Sequence, residues 1–183
     1  MRQRPLRRAA YRVGQFLRVL AASARPLTPE ERARARSHLP PTAWPLFAAM
    51  SRADQRHGLA VLAALQAVGQ VDPALAQAAL LHDCAKRAGG VRIWHRVAKV
   101  LLKAFCPTLL RRWTADPAPR PGMWRYGLWA YVHHPALGAE LAAAAGCDPM
   151  AVALIRWHEE RAGVAAPAIV ARLQALQAAD DDV

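Results

Sequence analysis

Apolar positions recur at helical spacing along most of the chain, and capping residues and prolines divide them into separate helices. From about Ala9 to Ala24 the apolar members are Tyr11, Phe16, Leu17 and Leu20, with Arg12 and Arg18 among them. This predicts a basic N-terminal helical segment within residues 1–27. Thr28-Pro29-Glu30-Glu31 starts the next helix. Thr28 suits the N-cap, Pro29 the first helical position, and Glu31 completes a capping box. His38-Leu39-Pro40-Pro41 ends it, because a residue before proline is driven out of helical geometry. Pro45 opens a helix carrying Leu46, Phe47 and Met50, and the pattern runs on through Asp54-Gln55-Arg56-His57 to Leu65 and Val68. Asp72-Pro73 caps a helix that holds Leu75, Ala79, Leu80 and then His82-Asp83, with Gly89-Gly90 closing it.

Val91 to Trp113 is one amphipathic stretch without an acidic residue, followed by a proline-rich loop from Thr114 to Gly122. A helix then runs through Tyr126 and Tyr131 to His133-His134, and Pro135 predicts the start of another that ends at Gly146. Asp148-Pro149 caps a helix to His158, and Pro167 begins the last, which reaches Asp180. Valine and isoleucine keep helical rather than alternating spacing, so no strand is demanded. The expected fold is all-α: a single-domain helical bundle over residues 28–183, with a basic amphipathic insert at about 91–122.

The candidate chemistry lies in Ala79-Leu80-Leu81-His82-Asp83-Cys84-Ala85-Lys86. The apolar run before His82 and Asp83 predicts that both enter a largely buried site. Burying an imidazole and a carboxylate without compensation costs several kcal/mol, roughly, and a metal ion is one way to offset it. His57, His134 and His158 each sit in or at the end of an apolar helical stretch, and Asp180 lies near the end of the last helix. Imidazole and carboxylate together suit borderline divalent metals, and a carboxylate has two oxygens with which to bridge two ions.

That order of residues, H…HD…H…H…D, resembles the HD-domain superfamily of metal-dependent phosphohydrolases. The first histidine resembles His57, the namesake pair His82-Asp83, the third element His134 in His133-His134-Pro135, the fourth His158 in Trp157-His158-Glu159, and the final aspartate Asp180. The resemblance extends from His57 to Asp180. It implies a helical bundle of HD type in which His57, His82, Asp83 and Asp180 hold one divalent ion. Asp83 would bridge to a second ion held also by His134 and His158. The metals compatible with such ligands are Mn, Fe, Mg, Zn, Co and Ni. The implied activity is cleavage of a phosphate ester, of a nucleotide or another phosphorylated metabolite, by metal-activated water. Asp83 and Lys86 are the implied catalytic residues, the lysine placing an ammonium by the phosphate. The alternative is a non-catalytic HD-fold module that binds a nucleotide or a partner. The chain departs from the HD-GYP type, since Trp157 precedes His158 and Arg161-Ala162-Gly163-Val164 replaces a Gly-Tyr-Pro motif. His133 is expected as a neighbour of the ligands, with proton donation to a leaving group as its alternative role.

Charge narrows the partners. Lys and Arg number 25 against 13 Asp and Glu, a formal +12, which favours anionic partners such as phosphorylated small molecules. No helix-turn-helix, RRM or zinc-finger signature points to nucleic acid. In the insert, Ile93, Val97, Val100 and Leu101 keep one helical spacing, and Arg92, Arg96, Lys99 and Lys103 another. Three readings fit: a helix in peripheral contact with an anionic membrane, a core helix with a solvated basic rim, or a lid over the site. The three cysteines, Cys84, Cys106 and Cys147, form no CxxC pair, which points to a reducing compartment, with Cys84 a small packed residue. Arg12 and Arg18 leave no apolar h-region after the basic start, so the expected location is cytoplasmic, with the inner membrane face as the peripheral variant.

Overall fold

The computed structural model describes residues 25–183 apart from residues 70, 89, 116 and 161–166. The basic N-terminal segment read from the sequence therefore lies outside the described residues, save Arg25 to Leu27, as do Gly89 and the segment that replaces Gly-Tyr-Pro. Among the described residues the chain is all-helical: α1 (Pro29–Ser37), α2 (Trp44–Ala49), α3 (Arg52–Ala67), α4 (Pro73–Leu81), α5 (Ala85–Ala88), α6 (Ile93–Phe105), α7 (Pro107–Trp113), α8 (Tyr126–Ala144), α9 (Pro149–Trp157) and α10 (Pro167–Asp181). None is long and apolar enough to cross a membrane.

The predicted caps form. Thr28 Oγ1 accepts from the Glu31 N–H at 3.2 Å, and the Thr28 N–H donates to Glu31 Oε2 at 2.8 Å. Asp72 accepts from the Leu75 N–H at 2.8 Å and Asp148 from the Met150 N–H at 2.7 Å, each followed by proline at the first helical position. These contacts satisfy N–H groups that a helix start otherwise leaves without a partner.

Three boundaries differ from the periodicity. The helix opened near Pro45 stops at Ala49, and Ser51 caps a new one by accepting from the Asp54 N–H at 3.1 Å. The stretch from Val91 to Trp113 breaks at Cys106-Pro107, where proline cannot continue the ladder of α6. Pro135 does not begin a helix; it lies inside α8. Having no N–H, it cannot donate to the Tyr131 carbonyl four residues back.

The core forms around α4, which is buried along nearly its whole length and packs against α3, α9 and α10. Phe47, Leu62, Leu65, Leu80, Leu81, Leu154, Ile155, Leu173 and Leu176 fill the space between them. A fully buried leucine or isoleucine contributes roughly 1.5–3 kcal/mol, so this cluster holds the helix termini rigidly enough to place side chains. Two glycines set the closest approaches. A Cβ on Gly58 of α3 would stand 3.1 Å from the Ala79 carbonyl of α4. One on Gly138 of α8 would stand 3.3 Å from the Ile155 side chain of α9. The first contact adjoins His57 and His82; the second lies against Cys84.

Candidate metal centre

His82-Asp83 does not lie within a helix. α4 ends at Leu81, and the pair occupies the tight turn into α5. Leaving the helix at this point turns Asp83 into the interior, where it is 3 % exposed, beside His82 at 2 % and the fully enclosed His134. His57 comes from α3, His134 from α8, His158 from the C-cap of α9, and Asp180 from the last turn of α10. Helices distant in sequence thus bring together all six residues expected as ligands.

Asp83 Oδ1 is the common vertex. It stands 3.3 Å from His134 Nε2, 3.7 Å from His82 Nε2 and 3.9 Å from His158 Nε2. His134 Nε2 and His158 Nε2 are 3.2 Å apart. Asp180 Oδ1 lies 2.6 Å from His57 Nε2 and 3.5 Å from His82 Nε2. Two groups result, His57 with His82 and Asp83, and Asp83 with His134 and His158, in each of which one ligand atom per residue lies within 4.8 Å of the others. Either group could hold a metal ion.

The remaining ring nitrogens fix the orientation. His82 Nδ1 lies 3.0 Å from the Ala79 carbonyl, His134 Nδ1 2.7 Å from that of Tyr131, and His158 Nδ1 2.7 Å from that of Ile155. In each case the imidazole donates three residues back, so Nδ1 carries a proton and Nε2 is turned to the centre. A metal-ligating histidine is oriented in this way, with its far nitrogen donating to a carbonyl and Nε2 left for the ion once deprotonated. His134 owes its carbonyl partner to Pro135, which cannot use it.

Burial and charge oppose one another here. Burial raises the Asp83 carboxyl, but the His82 and Lys86 charges outweigh it and hold the group well below the usual carboxylate range. Burial, then the neighbouring His82 and His134, push His158 down to about 3, so its imidazole is neutral at physiological pH. Burial lowers His82, yet the Asp83 and Asp180 carboxylates leave it raised. Asp180 is lowered by His57 and His82 against its burial.

Whether these residues suit a cation is tested by their own hydrogen bonding. Asp83 Oδ1 and His82 Nε2 are buried and have no hydrogen-bond partner. Such groups cost free energy unless a bound species satisfies them. Both point into the centre, and the donor set of imidazole and carboxylate fits a borderline divalent ion. The residues fit a metal.

Lys86 forms an ion pair with Asp83 Oδ2. Oδ2 pairs with the lysine, while Oδ1 lies nearest the Nε2 atoms of His82, His134 and His158. His133 is turned to the insert, with Nε2 2.8 Å from the Thr114 carbonyl and its ring stacked on Trp129. Cys84 is packed against Gly138, with its thiol pushed up by burial to about 12, which excludes a thiolate nucleophile.

Two further residues join the site that the sequence reading does not single out for it. Lys99, from α6, contacts Glu159 at 2.7 and 2.9 Å and lies 4.6 Å from the centre of the Tyr131 ring. Lys86 lies 5.6 Å from the same ring. Glu159 Oε1 is 3.9 Å from His134 Nε2, and although burial raises this carboxyl, Lys99 holds it below its ordinary value. The adjacency of Glu159 to His158 was the one signal available; sixty residues separate it from Lys99.

No family model, curated protein or solved structure matches the chain.

Proposed function

We propose that this chain is a metal-dependent phosphohydrolase of HD type, cleaving a phosphate ester of a nucleotide or another phosphorylated metabolite. The observation that carries the reading is Asp83 Oδ1: a buried anionic oxygen without a hydrogen-bond partner, faced by the Nε2 atoms of His82, His134 and His158. The order of ligands along the chain, which resembles the HD superfamily, supports it. So does the +12 charge, which suits a phosphorylated substrate.

His57, His82, Asp83 and Asp180 would hold one divalent ion, and Asp83, His134 and His158 a second. Bound there, divalent cations lower the pKa of water and neutralise phosphoryl oxygens. The chain's own residues do the rest. The carbonyls of Ala79, Tyr131 and Ile155 fix the three buried imidazoles before substrate arrives, so little reorganisation is needed. Lys86 neutralises Asp83 on its outer side. The ammoniums of Lys86 and Lys99, both against Tyr131, offer positive charge to phosphate oxygens at the rim. His57 and Asp180, both partly exposed, mark the open side of the centre.

The test is metal analysis of the purified protein, followed by a phosphatase screen over nucleotides and sugar phosphates with and without Mn²⁺. The expected result is one or two equivalents of metal and Mn²⁺-dependent phosphate release that Asp83→Ala abolishes. Metal bound with no turnover on any ester would assign the chain to the non-catalytic nucleotide-binding class instead. Absence of metal after reconstitution would end both readings.

A further inference from the structure

α6 has two unlike faces. Its inner side packs on α8: His95 is buried against Gly127, where a Cβ would come within 2.2 Å of the ring, and Lys99 reaches Glu159 at the metal centre. Successive helical residues turn by about 100°, so Trp94, Val97, Leu101 and Phe105 fall within one arc of roughly 80° on the other side. All four are exposed, Leu101 by 51 % and Phe105 by 78 %, and Val100 extends the strip. Just beyond the insert Met123 and Trp124 are exposed too, Trp124 standing edge-on to Trp113 of α7 at 5.0 Å. The apolar side of this amphipathic helix therefore faces outward, and the core-helix reading does not hold for it.

We propose that the outer face of α6 docks on the surface of an anionic lipid bilayer. Charge selects the occupant. Lys103 of α6 and Arg111 and Arg112 of α7 are exposed, and no acidic residue occurs from Val91 to Trp113. A second copy of the chain would bring these like-charged surfaces together, and the arginine-rich residues 1–24 carry the same sign. An anionic membrane instead attracts the cations while the aromatic and aliphatic side chains enter the headgroup boundary. Tryptophan and phenylalanine within a basic helix are the composition that such a surface position favours. Because Lys99 joins the inner face of α6 to Glu159, docking would hold the metal centre about one helix diameter, roughly 10–12 Å, from the lipid.

Co-sedimentation of the full chain with vesicles tests this, using phosphatidylcholine alone and a mixture containing one-third phosphatidylglycerol. The expected result is binding to the mixed vesicles, weak binding to the neutral ones, and loss on raising salt. Leu101→Ser with Phe105→Ser should weaken partitioning at least roughly tenfold. Lys103→Glu, Arg111→Glu and Arg112→Glu together should weaken it at least roughly a hundredfold, from about fivefold for each cation near the surface. Circular dichroism should be unchanged in both variants, since the side chains are exposed. Unbound wild-type protein, equal binding to neutral vesicles, or undiminished binding by the α6 variants would overturn the proposal. So would a wild-type dimer in sedimentation velocity that the serine variant converts to monomer, since that would assign the face to self-association.

Discussion

Pro135 withholds an N–H from the carbonyl of Tyr131, and the ring of His134, one residue earlier, takes that carbonyl at 2.7 Å through Nδ1. A residue that weakens α8 as a helix thereby fixes a candidate ligand. A proline in a helix interior costs roughly 3 kcal/mol relative to alanine. Pro135→Ala should therefore raise the melting temperature of metal-free protein, while letting a backbone N–H compete for the carbonyl. Metal affinity should fall about tenfold, as when other partners of ligating histidines are lost. Isothermal titration with Mn²⁺ and thermal unfolding of the same variant check the opposite signs.

Removing the metal should expose the strain of the centre. Chelation should lower the melting temperature of the wild type, because a ligand bound to the native state stabilises it by mass action. Asp83→Asn keeps the shape, removes the buried charge and offers Oδ1 as a weaker, neutral donor. Its melting temperature should not respond to chelator. In the metal-free state it should lie below that of the wild type, because Lys86 loses its buried partner. A chelator response of wild-type size in Asp83→Asn would count against the centre.

α6 approaches α8 tightly where His95 meets Gly127. A methyl group on Gly127 would overlap the His95 ring, so Gly127→Ala should displace the inner face of α6 and cost about 1–3 kcal/mol. Hydrogen exchange should quicken in α6 and much less in α4. Adding His95→Ala removes the overlap, and the double variant should regain part of the protection.

Asp72 couples a helix start to pH. Burial raises its carboxyl, but the Leu75 N–H and Arg172, whose Nε lies 2.6 Å away, outweigh burial and lower it. A carboxyl lowered on folding adds stability that is present above its unfolded pKa of about 3.9 and is lost as pH falls through the folded value. Asp72→Ala should cost about 1 kcal/mol at neutral pH, the usual effect of losing an N-cap. The difference between variant and wild type should shrink in acid, as urea unfolding at neutral and low pH would record.

The caps were legible because each is local: Thr28, Asp72 and Asp148 act on N–H groups two or three residues away. The Ser51 cap was hidden because apolar spacing continues across the break at Met50-Ser51. Pro135 carries the same sequence signal at the start of a helix as inside one, and only the packing of α8 on α9 distinguishes them. The residues of the candidate site were legible from their order, but two contacts were not. Lys86 occupies one oxygen of Asp83, and Lys99 approaches Glu159 from a helix sixty residues earlier. For α6, periodicity revealed an apolar face without revealing whether protein covers it, since amphipathicity records contrast between faces and nothing about neighbours.

With Oδ2 of Asp83 held by Lys86, one atom stands at the corner of both ligand groups. An ion held there would draw on its electron density and would bring positive charge close to the other group. Two cations could not then load as independent events: the first would set the affinity of the second, and a titration would resolve a strong step followed by a weak one.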